Sequence, residues 1–134
     1  MNDTHNTNGT IFVVDDEPSI RRICTLYLKN KGLRVQALEH ADDIVDLATR
    51  QKPDVIVLDL NMPGLDGFAA AQQLKANGST ADIPILVLSG RQDLADKWNA
   101  MVDCGADDYV MKPFSLEVLA ARIKAKLPPG GQPC

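Results

Sequence analysis

Five positions along the chain carry polar side chains of the kind that bind a metal ion or a phosphoryl group. Each follows a short apolar stretch with the composition of a buried strand, and they are Asp15, Asp16, Asp59, Ser89 and Lys112. Three carboxylates held close together repel one another and favour a divalent cation between them. An ammonium and a hydroxyl suit phosphoryl oxygens. The set predicts a site for a divalent cation and a phosphoryl group, provided that the fold brings its members together.

The ligand types favour magnesium over zinc. The candidate ligands are oxygens, and neither His5 nor His40 falls at the end of a predicted strand. The sequence contains no nucleotide-binding loop of the GxxxxGK[ST] or GxGxxG type. A phosphoryl group would therefore have to come from another donor, and a carboxylate is the well-placed acceptor that could bind it covalently.

The elements that must position these residues are five short strands that alternate with five helices. The predicted strands are Thr10 to Val14, Arg34 to Leu38, Asp54 to Leu58, Ile83 to Leu88 and Asp108 to Met111. The predicted helices run from Pro18 to about Lys31, where Gly32 ends the helix, from about Ala41 to Gln51, from about Asp66 to Ala76, along an apolar stripe from Leu94 to Val102, and along another from Leu116 to Leu127. This alternation predicts a doubly wound α/β fold with a parallel sheet, in which ligands bind beyond the carboxyl ends of the strands.

The composition limits the classes of function. A chain of 134 residues with 45% apolar residues suits one domain with a core, and a net charge of -4 without a basic run argues against direct nucleic-acid binding. No apolar stretch approaches the roughly 20 residues that span a bilayer, and no signal core is present, so we expect a cytoplasmic protein with no membrane contact. We expect residues 10–127 to fold, with a disordered segment at 1–9 and a flexible tail at 128–134.

Taken together, the motifs resemble the receiver domains of two-component response regulators, the CheY-like superfamily, from about Thr10 to Leu127. The matching motifs are Asp15-Asp16-Glu17-Pro18, Asp59-Leu-Asn-Met-Pro63 with Gly67, Ser89-Gly90, Gly105-Ala-Asp-Asp-Tyr109 and Lys112-Pro-Phe114. Each motif is weak alone, but in this order and on these strand ends the set is highly specific. The resemblance implies a five-stranded parallel sheet in the flavodoxin-like order 2-1-3-4-5, with five helices on both faces.

The resemblance also implies roles for the site residues. Asp59 would take a phosphoryl group from a histidine kinase or a histidine phosphotransfer protein, and Lys112 would pair first with Asp59 and then with the phosphoryl oxygens. The family binds Mg²⁺, for which Mn²⁺ could substitute. Its ligands here would be Asp15, partly through water, Asp16, Asp59 and the backbone carbonyl of Asn61.

Ser89 and Tyr109 resemble the switch pair of the same family, in which the hydroxyl meets the phosphoryl group and the ring turns inward. Pro113 would follow Lys112 through a cis peptide bond. The change would shift the population of two packings at the fourth helix, fifth strand and fifth helix, and so control a downstream protein or output domain. A homodimer through the fourth and fifth helices is left open, as is whether the chain stands alone or belongs to a longer regulator.

Two other classes of function stay open. Magnesium-dependent phosphatases of similar topology also phosphorylate an aspartate, but a second acid two residues later donates a proton to the leaving group, and this chain has Asn61 there. A docking module that resembles a receiver but accepts no phosphoryl group is disfavoured by the completeness of the site. The preferred interpretation is a phosphorylation switch, which is not an enzyme beyond its part in its own phosphotransfer and autodephosphorylation.

Overall fold

Five parallel strands form a single sheet in the order β2-β1-β3-β4-β5 in the computed structural model, which describes residues 9–59, 67–90, 107–112 and 114–127. The strands are β1 (Thr10–Val14), β2 (Arg34–Leu38), β3 (Val55–Asp59), β4 (Ile85–Gly90) and β5 (Asp108–Lys112). The helices in the described ranges are α1 (Pro18–Asn30), α2 (Ile44–Gln51), α3 (Gly67–Ala76) and a last helix, Leu116–Lys126. This order confirms the doubly wound α/β prediction. The helix predicted from Leu94 to Val102, residues 1–8 and the tail at 128–134 lie outside the described residues.

The sheet is covered on both faces, which explains the continuous apolar runs of its central strands. Side chains on one face pack against α2 and α3, and those from the strands are Phe12, Val14, Ile56, Leu58, Ile85 and Val87. Side chains on the other face pack against α1 and the last helix, and those from the strands are Ile11, Val13, Val55, Val57, Leu86, Leu88 and Val110. Because successive residues of a strand point to opposite faces, a strand buried on both sides must be apolar throughout. No helix in the described ranges is long and apolar enough to cross a membrane.

Strand β4 begins two residues later than the sequence predicts, at Ile85 rather than Ile83. The amide of Ile83 donates instead to the carbonyl of Thr80 in a turn, at 3.0 Å. Pro84 has no N–H for a strand ladder, although its carbonyl accepts from the Ile56 amide at 3.0 Å. The apolar run therefore includes a turn residue that hydrophobicity alone does not separate from the strand.

The carboxyl ends of three strands also differ from the prediction, and the difference concerns the site. Strands β3 and β5 end on Asp59 and Lys112 themselves, and β4 continues through Ser89 to Gly90, which pairs with Lys112. Asp59 pairs with Leu88 of β4. Asp59 and Lys112 are therefore the terminal residues of paired strands, and Ser89 is the last but one of its strand. The sheet thus restrains the backbone of all three.

Helix α2 begins at Ile44 instead of Ala41, because residues 41–43 form a turn closed by the Ile44 amide and the Ala41 carbonyl at 3.1 Å. Helix α1 ends as predicted before Gly32, whose φ of 88° lies in the left-handed region that favours glycine. Lys52 takes a similar conformation at the end of α2, with φ 51°. The helices are thus ended by local backbone turns before each following strand.

Asp108, the first residue of β5, joins the last helix to the sheet. One of its carboxylate oxygens accepts hydrogen bonds from the Tyr109 amide (2.8 Å) and Arg122 Nη1 (2.6 Å), and the other accepts one from Lys126 Nζ (3.1 Å). Its side chain is only 16% exposed. Burial by itself would raise the pKa of Asp108, but these donors and the charge of Lys126 outweigh burial and lower the pKa below the ordinary 3.8.

We expect Asp108→Asn to lower the free energy of unfolding by about 1–2 kcal/mol at neutral pH, because two cationic partners lose their carboxylate. Since the folded-state pKa lies below the ordinary 3.8, this stabilisation is present above that value and is lost as the pH falls through the folded-state pKa. Urea unfolding at a series of pH values measures the difference. The control is Asp82→Asn at an exposed position. An equal difference at neutral and strongly acidic pH would contradict the ionic origin.

Candidate functional site

The loop between β1 and α1 holds the first acidic residues at the carboxyl edge of the sheet. The amide of Asp15 donates to the Leu38 carbonyl at the end of β2, at 3.1 Å. Arg21, from the first turns of α1, donates from Nη1 to the Asp15 carbonyl at 2.8 Å. The backbone of Asp15 is thus tied to the neighbouring strand and to the following helix.

Three carboxylates meet at this edge. One oxygen from each of Asp15, Asp16 and Asp59 lies within 4.8 Å of the other two. Asp15 and Asp59 are buried, whereas Asp16 is more exposed. Among the described residues, these three aspartates form the group of acidic, histidine or cysteine side chains that could hold a metal ion. The sequence prediction that these three aspartates converge is therefore confirmed by their positions.

Lys112 supplies the positive charge of the site. Its Nζ lies 3.2 Å from Asp15 Oδ2, 3.3 Å from Asp59 Oδ2 and 3.5 Å from Glu17 Oε1. The lysine side chain is 20% exposed. Burial by itself would lower the pKa of Lys112, but the carboxylates of Asp59 and Asp15 outweigh burial and raise the pKa above the ordinary 10.5. The ammonium therefore stays charged at neutral pH and partly balances the aspartates.

The negative charge of Asp15 is only partly compensated by its neighbours. Burial raises its pKa above the ordinary 3.8, as does the charge of Asp59, and the Glu17 amide and the Lys112 ammonium offset this only in part. Oδ1 accepts from the Glu17 amide at 3.0 Å. Oδ2 is buried and accepts no hydrogen bond from the described residues, and the Lys112 ammonium lies 3.2 Å from it as an ion-pair partner.

This arrangement fits a hard divalent cation. A buried carboxylate oxygen without a donor, beside two further carboxylates, is a ready ligand for an ion that prefers oxygen. Cys24 on α1 offers no soft alternative, because burial and then the charge of Asp15 raise the pKa of its thiol to about 11. The residues that could hold the cation are Asp15, Asp16 and Asp59.

The other predicted site residues are only partly described. Asn61 and Pro113 lie outside the described residues, as does the side chain of Ser89, although its backbone pairs with Met111 in β4 and β5. Tyr109 is half-buried on β5 and packs against the core beneath α2 and α3. The metal role of Asn61 and the switch roles of Ser89 and Tyr109 stay predictions.

Two residues that contact the site were not assigned a role from the sequence. Glu17 adds a third carboxylate to Lys112, and Arg21 holds the Asp15 carbonyl. Glu17 could have been suspected, since it directly follows the two aspartates. Arg21 carries no such signal, because only the path of the loop brings the start of α1 back to Asp15.

Comparison with known proteins identifies the family. A family model described as the response regulator receiver domain matches residues 11–124. The chain belongs to the response regulator receiver domains. The match covers all five strands except Thr10, and most of the last helix, so the family assignment rests on nearly the whole fold.

Curated relatives of this receiver domain are longer regulators. It is 40% identical over 117 residues to the response regulator MprA of Mycobacterium leprae, covering 87% of this chain and 50% of that protein. It is 39% identical over 117 residues to the DNA-binding dual master transcriptional regulator RpaA of Synechocystis sp., covering 87% of this chain and 48% of that protein. The receiver domain thus spans about half the length of these relatives.

Solved receiver structures share the fold. The chemotaxis protein CheY4 of Vibrio cholerae has a TM-score of 0.82 at 27% identity, covering 88% of this chain and 98% of that chain. The receiver domain of a sensor histidine kinase from Pseudomonas aeruginosa has a TM-score of 0.80 at 28% identity, covering 90% and 98%. That structure has a magnesium ion coordinated in its active-site cleft.

Membership defines what the domain does in general terms. Receiver domains are the phosphoacceptors of two-component systems and act as phosphorylation switches that work with histidine kinases and output domains. They bind Mg²⁺ at an acidic cluster, and the three aspartates here form such a cluster. The family match and the geometry therefore agree on the same edge of the sheet.

Proposed function

We propose that Asp59 is the residue of this receiver domain that accepts the phosphoryl group, with Mg²⁺ held by Asp15, Asp16 and Asp59. The observation that carries the proposal is the position of the Lys112 ammonium, 3.3 Å from Asp59 and 3.2 Å from Asp15 at the edge of the sheet. An ammonium in that place can meet the oxygens of a phosphoryl group attached to Asp59.

Asp59 is a better acceptor than either neighbouring aspartate. The backbone of Asp15 is tied on both sides, to β2 and to Arg21. Asp16 is more exposed, so its carboxylate is less restrained. Asp59 is buried at the end of a central strand and faces Lys112, so its carboxylate is held in one place for attack.

The proposed transfer forms an acyl phosphate. An oxygen of Asp59 bonds to the phosphorus of a phosphohistidine, the P–N bond breaks, and its electron pair stays on the histidine nitrogen of the donor. When bound, Mg²⁺ neutralises charge that gathers on the phosphoryl oxygens. Lys112 moves from the carboxylate of Asp59 to those oxygens, and Asp15 and Asp16 would hold the cation.

We extend the proposal to the residues and partners outside this geometry. The Asn61 carbonyl completes the metal ligands, and Ser89 and Tyr109 respond to the phosphoryl group as a switch pair. The donor is a histidine kinase or a histidine phosphotransfer protein in the cytoplasm, and the target is a downstream protein or output domain. Water attacks the phosphorus of the acyl phosphate, the P–O bond to Asp59 breaks, and inorganic phosphate leaves, which resets the switch. Residues 10–127 form the receiver domain that carries these roles.

Intact-mass spectrometry after incubation with acetyl phosphate tests the proposal. We expect a gain of one phosphoryl group that requires Mg²⁺ and disappears on chelation or in Asp59→Asn. Asp82→Asn, at an exposed position, serves as the matched control and should be modified like the native chain. An equal gain in Asp59→Asn would refute Asp59 as the acceptor, and rapid, sustained turnover of acetyl phosphate by the native chain that is lost in Asp59→Asn would point to a hydrolase.

A further inference from the structure

Glu17 lies at the start of α1, but its side chain does not cap the helix. It is the N-cap residue of α1, with φ -88° and ψ 118°, and its side chain makes no capping hydrogen bond. Serine, threonine, aspartate and asparagine are preferred at this position because a short side chain can accept from the first helical amides. Pro18 follows and favours the extended backbone that Glu17 adopts. The start of α1 therefore lacks the stabilising hydrogen bond of a side-chain cap.

The side chain of Glu17 reaches Lys112 instead. Its Oε1 lies 3.5 Å from Nζ, while its amide donates to Asp15 Oδ1 at 3.0 Å. The ammonium in turn lies 3.2 Å from Asp15 Oδ2. A closed ring of contacts thus joins Glu17, Asp15 and Lys112. Glu17 is the member of the ring that faces solvent. Glu17 is 58% exposed, so its charge also faces an approaching donor.

This contact favours the unphosphorylated site. The ammonium has to turn toward the new oxygens when a phosphoryl group reaches Asp59, and a third carboxylate competes for it. The same carboxylate repels a phosphoryl donor, which is anionic. We propose that Glu17 is a positioning residue that holds Lys112 in the unphosphorylated site and slows acceptance of the phosphoryl group. This inference rests on the proposed role of Asp59.

The first test compares Glu17→Gln with the native chain in the rate of phosphorylation by acetyl phosphate. In this reaction an oxygen of Asp59 bonds to phosphorus as the bond from phosphorus to the acetyl oxygen breaks, and acetate leaves with the electron pair. Mg²⁺ is kept saturating for each variant, as determined by isothermal titration. We expect the rate per unit of acetyl phosphate to rise about threefold to tenfold, chiefly through a lower half-saturating concentration. The rise should shrink at about 1 M salt, which screens an exposed charge.

Glu39→Gln is the matched control, because Glu39 is an exposed glutamate just beyond the carboxyl end of neighbouring β2. It removes the same charge from the same edge of the sheet without touching Lys112. We expect its phosphorylation rate to equal that of the native chain. A rise as large as that of Glu17→Gln would show a general effect of net charge and would overturn the positioning role.

A second variant separates positioning from structure. Glu17→Ser restores a favoured N-cap and should raise the midpoint of thermal unfolding, yet it should also speed phosphorylation like Glu17→Gln. A residue with only a structural role would change the unfolding midpoint without changing the rate. Unchanged or slower phosphorylation in both variants, beside a phosphorylated native chain, would overturn this inference alone. A native chain that gains no phosphoryl group would overturn the proposed function together with it.

Discussion

Asp15→Asn is expected to stabilise the metal-free protein while it removes most of its affinity for Mg²⁺. Asp15 is fully buried, one of its oxygens accepts no hydrogen bond from the described residues, and it lies beside Asp59. An asparagine keeps an oxygen for the Glu17 amide and relieves the repulsion between carboxylates. The amide NH₂ group of this asparagine is repelled by the Lys112 ammonium, which cancels part of the increase in stability. We therefore expect a gain of about 1 kcal/mol and a loss of Mg²⁺ affinity of at least about tenfold.

The pH dependence of this gain has a definite sign. The folded-state pKa of Asp15 is raised above the ordinary 3.8, so its favourable contribution is present below that value and is lost as the pH rises through the folded-state pKa. Asp15→Asn should therefore stabilise the protein at neutral pH and do so much less in acid. Chemical unfolding with a chelator present measures the stability, and isothermal titration measures the affinity.

Asp16→Asn is the informative comparison for this result. Asp16 belongs to the same cluster but is more exposed, so its replacement should weaken Mg²⁺ binding with a smaller gain in stability. Mg²⁺ should raise the stability of the native chain and leave that of Asp15→Asn nearly unchanged. If the metal-free Asp15→Asn protein were less stable than the native chain, this would contradict the expectation that repulsion between these carboxylates destabilises the protein without its cation.

Lys112→Met is expected to have the opposite effect on stability and a large effect on phosphorylation. Methionine keeps most of the length of the side chain but leaves Asp15 and Asp59 buried without their ammonium. Breaking a buried ion pair on one side costs about 3–5 kcal/mol, and Mg²⁺ should restore part of it by supplying positive charge. The initial rate of phosphorylation by acetyl phosphate should fall about a hundredfold, because one donor to the phosphoryl oxygens is lost.

The stability difference for Lys112→Met should also depend on pH. Because the pKa of Lys112 is raised above the ordinary 10.5, its contribution is fully present below that value and is lost as the pH rises through the folded-state pKa. Lys124→Met, at an exposed position of the last helix, is the control and should change stability by less than about 0.5 kcal/mol. A loss for Lys112→Met no larger than that of the control would contradict the ionic role of Lys112.

Much of the site could be predicted because parallel strands bring their carboxyl ends to one edge. The chain separates Asp15, Asp59 and Lys112 widely. Each of them nevertheless follows a short run with the composition of a buried strand. The alternation of strands and helices then predicts that they meet. The family resemblance, rather than the residue pattern, predicts the strand order, and the observed order β2-β1-β3-β4-β5 confirms it.

Local details escaped the prediction where one side chain or one missing N–H decides them. The start of β4 depends on Pro84, which apolar composition does not distinguish from its neighbours. The reach of Glu17 to Lys112 depends on the rotamer of an exposed side chain at a helix start. The incomplete compensation of the Asp15 charge depends on which of its two carboxylate oxygens accepts a hydrogen bond. None of these three features has a periodic pattern in the sequence.

The most direct test of the central claim is to trap the acyl phosphate chemically and find the residue that carries it. Borohydride reduces a phosphorylated aspartate to homoserine, and peptide mass spectrometry then locates the change. We expect homoserine at position 59 only, in a reaction that requires Mg²⁺ and acetyl phosphate. Homoserine at position 15 or 16, or none in a chain that has gained a phosphoryl group, would contradict the assignment of Asp59 as the acceptor.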